Sequence, residues 1–123
     1  MPIRIVTFTL ALGCLALAAA PVSAAEIPSK EEIAKVGAKL VGLNFVTYTN
    51  CKVSPDLLSA YLAKSKVRFA AAGSDFDPQF EAGKADGVKQ WNSLSEQLGG
   101  EDKMREATCS NAQKNIEANL ARK

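Results

Sequence analysis

Apolar residues recur at steps of three and four along most of the chain, a period that reads as helix. From Lys30, the positions Ile33, Val36, Leu40 and Leu43 form one stripe, which predicts a helix to about Gly42 with those four side chains inward. Ser29 with Glu32 three residues on makes a capping box at its start, and Glu31 and Lys35 are spaced to pair across one turn on the wet side. The next residues, Phe45-Val46-Thr47-Tyr48-Thr49, are β-branched and aromatic, so they fit either an extended segment or helix continuing towards Cys51.

A second start signal stands at Ser54-Pro55-Asp56: a cap, a proline at the first helical position where its missing amide hydrogen costs least, and an acid near the positive helix end. It predicts a helix to about Lys64 that buries Leu57, Leu58, Tyr61 and Leu62. Lys64 to Phe69 then alternates charged with uncharged residues. As an extended connector it sets Lys64, Lys66 and Arg68 in water with Val67 and Phe69 inward; the sharper alternative is an anion or lipid-headgroup contact. Ala70 to Ser74 reads as loop, with Gly73 as a stop.

The longest stripe lies between Asp77 and Gly100, where Phe80, Gly83 or Lys84, Gly87, Trp91, Leu94 and Leu98 align. Asp77 is placed to cap a helix that begins at Pro78, and Gly99-Gly100 to end it. The spacing of Asp75, Asp77 and Glu81 is reminiscent of a calcium loop, but Phe80 stands where an EF-hand needs glycine, so no metal is implied. Gly83 and Gly87 each cost about 1 kcal/mol against alanine inside a helix, which marks a close approach. Either another helix of the same domain lies there, with Tyr61 or Phe69 over the bare backbone, or the pair forms a docking face for a partner helix or an apolar ligand. Lys84, Asp86 and Lys89 interrupt the apolar run, so this spacing is no membrane signal. The last segment, Glu101 to Lys123, has acids first and cations last, with Cys109, Ala112, Ile116 and Leu120 on one helical face and Met104 and Ala107 extending it.

Ahead of these elements, Met1 to Ala25 has Arg4, an apolar run from Ile5 to Ala20, then Pro21 and small residues, the pattern of a secretory signal peptide cleaved after Ala24 or Ala25. The run falls short of the roughly 20 residues a membrane span needs, so no stable anchor is expected after cleavage. Gly13-Cys14 lacks the order of a lipoprotein motif. The expected architecture is therefore a signal over residues 1–25 and one all-α domain of three to four helices over residues 26–123.

Removing the signal leaves Cys51 and Cys109, an even number in an exported chain, so one structural disulfide is expected. Closing a loop of 58 residues contributes about 4 kcal/mol in the chain-entropy model. The pair lacks the CxxC spacing of a catalytic dithiol. No Asn-x-Ser/Thr sequon occurs, which suits a bacterial periplasmic or secreted protein.

Histidine is absent, which removes the commonest general base and zinc ligand. Losing Arg4 from 15 cationic side chains leaves near-neutrality against 13 anionic ones, an argument against a nucleic-acid partner. No catalytic, cofactor or metal motif is found, and no pair of Lys, Tyr, Asp or Glu is spaced for proton transfer. The first expectation is thus a non-enzymatic exported interaction protein with an unidentified protein partner and an oligomeric state left open. The alternative is a periplasmic chaperone or stress protein. In body plan alone, a signal, about 100 residues, helices and one disulfide, the chain resembles the acid-activated periplasmic chaperones, without a match of sequence motifs. A histidine-free enzyme ranks last.

Overall fold

The computed structural model describes residues 27–122; the expected signal segment lies outside them. All regular structure among the described residues is helical: α1 Lys30–Asn50, α2 Pro55–Arg68, a 3-10 segment Ala70–Asp75, α3 Phe76–Leu98, α4 Glu101–Thr108 and α5 Ala112–Ala121. The helix count thus exceeds the expected three to four.

The helix α1 starts where the sequence places it, with the Glu32 amide donating to Ser29 Oγ at 3.1 Å and Lys35 paired to Glu31 at 3.5 Å. It does not stop at Gly42 but runs through the β-branched segment to Asn50. Thr47 and Thr49 turn their hydroxyls back to the carbonyls of Leu43 and Phe45, at 3.4 and 2.7 Å, so their oxygens bond within the helix instead of competing with it. The end of α1 is a Schellman turn: the Val53 amide reaches the Tyr48 carbonyl and the Lys52 amide the Thr49 carbonyl. Lys52 takes the left-handed position there, at φ 61°, where glycine is usual.

Ser54 caps α2 through the Leu57 amide at 3.3 Å, as expected. The residues read as an extended connector are its last turn, so α2 ends at Arg68 rather than Lys64. Helical geometry splits the three cations. Lys64 and Arg68 reach across to the carbonyls of Leu120 and Asn119 at the negative end of α5, the latter at 3.3 Å, while Lys66 pairs with Asp77 at 3.6 Å. Val67 points outward instead of inward, and the expected loop at Ala70–Ser74 is the 3-10 turn, kinked at Gly73.

The N-cap of α3 is Asp75, not Asp77, and its side chain makes no capping bond. It pairs instead with Lys35 of α1 at 3.3 Å, holding the start of α3 against α1. That contact raises the Lys35 pKa, chiefly through the Asp75 hydrogen bond. The far end of α3 closes as expected on Gly99, with φ 95°.

Residues Glu101 to Ala121 do not form one helix. Met104 of α4 is buried, whereas α5 packs on α2 and α1, so the chain changes direction between Cys109 and Asn111. Cys109 bonds to Cys51 at that turn, with 5.3 Å between Cα atoms, fastening the end of α1 to the C-terminal arm. Ala112 and Ile116 are buried as expected; Ala107 faces out.

The core joins Ala34, Ala38, Val41 and Tyr48 of α1 with Tyr61, Phe76, Phe80, Ala112 and Ile116, and Leu57, Leu58 and Leu62 pack half-buried against it. Phe80 lies between Phe45, edge-on at 5.4 Å, and Phe76, stacked at 6.1 Å. On the other side of α1, Tyr48 meets Tyr61 edge-on at 5.3 Å.

Candidate functional site

The extensive contact of α1 with α3 decides which residues reach the surface. A side chain built on Gly42 would collide with the Phe80 carbonyl oxygen, and one on Gly83 with the Lys39 carbonyl oxygen. The two backbones therefore touch. Gly87 lies one turn on, its missing Cβ 3.1 Å from Val46. Gly83 and Gly87, the candidate docking face, sit against α1 of the same chain, and the residues over them are Lys39, Val46 and Leu43 rather than Tyr61 or Phe69. Phe69 instead lies over Gly37.

With its small residues turned to α3 and the core, α1 carries its large ones outside. Ile33, Val36 and Leu40, expected inward, are 54%, 61% and 52% exposed, and Leu43 is half-buried. Their positions repeat at three, four and three residues, so they form one outward stripe along the helix. A related shift occurs on α3. Its buried row is Phe76, Phe80, Gly83, Gly87, Trp91 and Ser95, which leaves Leu94 and Leu98 42% and 46% exposed.

These two outward sets meet across a groove of about 210 Å³, where Leu40 and Leu43 of α1 face Trp91 and Leu94 of α3, with Met104 of α4 also lining it. Its polar lining is uncharged: Asn44, Thr47 and Gln90. Beside the groove Lys39 bridges to Asp86 at 3.3 Å, tying α1 to α3 again. The Trp91 ring is buried, and neither its indole N–H nor the Ser95 hydroxyl has a hydrogen-bond partner among the described residues.

The buried polar groups elsewhere are satisfied in a different way. Asn44 Nδ2 donates to the Tyr61 hydroxyl at 3.3 Å, and burial pushes the phenol pKa values of Tyr61 and Tyr48 upward, so both stay protonated. Tyr61 thus joins α2 to α1 as a neutral acceptor, and Tyr48 meets it through its ring. Among the described residues no three His, Cys, Asp or Glu side chains gather to hold a metal ion, and no helix is long and apolar enough to cross a membrane.

The sequence contains the surface, in the heptad-like spacing of Ile33, Val36, Leu40 and Leu43, but does not say which way it points. The signal that could have settled it is the parallel row Ala34, Gly37, Ala38, Val41 and Gly42, whose small side chains allow a closer approach than the aliphatic stripe does. Comparison with protein-family models, with curated proteins and with solved structures found no match to this chain.

Proposed function

We propose that the protein is an exported, non-enzymatic helical module that works by presenting the outward face of α1 and its groove with α3 to another protein chain. The observation that carries this reading is the exposed aliphatic row Ile33, Val36 and Leu40, continuous with the groove at Leu94. Contiguous apolar surface of this kind marks a place where water is displaced on binding. The disulfide and the expected signal segment support export, since such bonds persist in oxidising compartments.

The test is a paired capture experiment with tagged wild-type protein and the Leu40→Lys variant. A partner recovered by the first and lost by the second supports the reading; identical recoveries sink it. The same aliphatic face also suits a chaperone that holds unfolded clients, the second reading. Suppression of the aggregation of a denatured client by wild type but not by Leu40→Lys would favour it over a single dedicated partner.

A further inference from the structure

The outward stripe of α1 is close to palindromic. Ile33 and Leu43 stand equally far on either side of Ala38, and so do Val36 and Leu40, and beyond them Ser29 and Thr47. From this geometry we infer that α1 pairs antiparallel with α1 of a second copy of the chain, about a two-fold axis level with Ala38 along the helix and on the face opposite its buried side chain. The inference rests on the reading of this face as an interaction surface and names its occupant.

A two-fold contact requires a patch to complement its own reverse. Reversal about Ala38 sets Ile33 on the partner's Leu43 and Val36 on the partner's Leu40, so each large aliphatic side chain meets another. Spacing of three, four and three is also what lets two helices keep one seam in register. No charge lies within the stripe. Lys39, which flanks it near the axis, is held by Asp86 of its own chain at 3.3 Å, so the axis brings together no unpaired cations. The partner's Ile33, seated on Leu43, also covers the groove, where Leu94 and Met104 extend the apolar contact. A seam along one 21-residue helix belongs to the small end of specific interfaces, so the dimer dissociates on dilution.

Sedimentation equilibrium of the protein as purified from its producing cell tests this over a range of concentrations. The expected mass rises towards twice that of one chain. Val36→Glu and Leu40→Lys should each hold it at one chain; both positions are more than half exposed, so the helical circular dichroism and the closed disulfide stay unchanged. An equal mixture of the two variants restores the doubled mass, because the register sets the carboxylate introduced at 36 against the ammonium introduced at 40 of the partner and leaves the other Val36–Leu40 contact native. A wild type that stays monomeric, a single variant that still dimerises, or a mixture that remains monomeric overturns the inference. A monomeric wild type that nonetheless captures another protein through Leu40 overturns this inference alone and leaves the proposed function standing.

Discussion

The inner face of α1 is made of Ala34, Ala38, Val41 and Gly42, and its outer face of Ile33, Val36, Leu40 and Leu43. By hydrophobicity alone the second set belongs inside. It lies outside because the first permits what large side chains forbid, contact between the backbones of α1 and α3 at Gly42 and Gly83. Packing at that distance recruits main-chain atoms as well as side chains into dispersion contacts. Burial therefore follows the fit between two helices and not the size of the individual residue.

The inner face should be far more sensitive than the outer one, and the largest effect is expected where it is fastened. Replacing Cys51 and Cys109 by serine releases the end of α1 from the C-terminal arm and is expected to lower unfolding stability by about 4 kcal/mol, measured in urea. Gly83→Ala comes next, at about 3 kcal/mol, because the new methyl group meets the Lys39 carbonyl and the helices must separate. A neutral Gly83→Ala would break the comparison outright.

Tyr61→Phe is expected to cost about 1 kcal/mol through loss of the Asn44 hydrogen bond. It carries a pH signature too. Burial raises the Tyr61 pKa, so the folded chain keeps a proton that the unfolded chain gives up at about pH 10. The stability from this group is complete below that pH and is lost as pH rises through the folded value. Denaturation at a series of alkaline pH values should show a shallower decline in Tyr61→Phe than in wild type. Smallest of all is Val36→Ser on the outer face, which should leave stability within about 0.5 kcal/mol when measured at a dilution where the chain is a monomer. A large loss there would mean that the stripe already belongs to the monomer's own packing.

Local chemistry was readable from the sequence where one residue decides it. Ser29 and Ser54 cap, Pro55 opens, Gly99 closes, and the two cysteines pair. Long-range packing decided the rest. Phe45 to Thr49 is helical because Phe45 and Tyr48 find ring partners on α3 and α2, a gain that β propensity does not include. Asp75 gives up capping for an ion pair with Lys35, a residue forty positions earlier. The break at Cys109 reflects the different partners of α4 and α5, and Asn111, a residue type that favours a helix start, is the N-cap of α5. The candidate surface was visible as a spacing and invisible as an orientation, since the stripe on α1 has the same period facing in or out.

The disulfide also divides the molecule in a way that packing does not. Cys51 and Cys109 close a covalent ring containing α2, the 3-10 turn, α3 and α4, and leave α1 and α5 as its two tails. The exposed turn at Gly73 lies within that ring, with open space around it. A protease that cuts there leaves the two pieces joined, so nicked protein runs as one chain on a non-reducing gel and falls into two only when a thiol is added. The same enzyme cutting α1 would leave no covalent link between the pieces, so the helix at the centre of the packing shares with α5 the lack of covalent insurance.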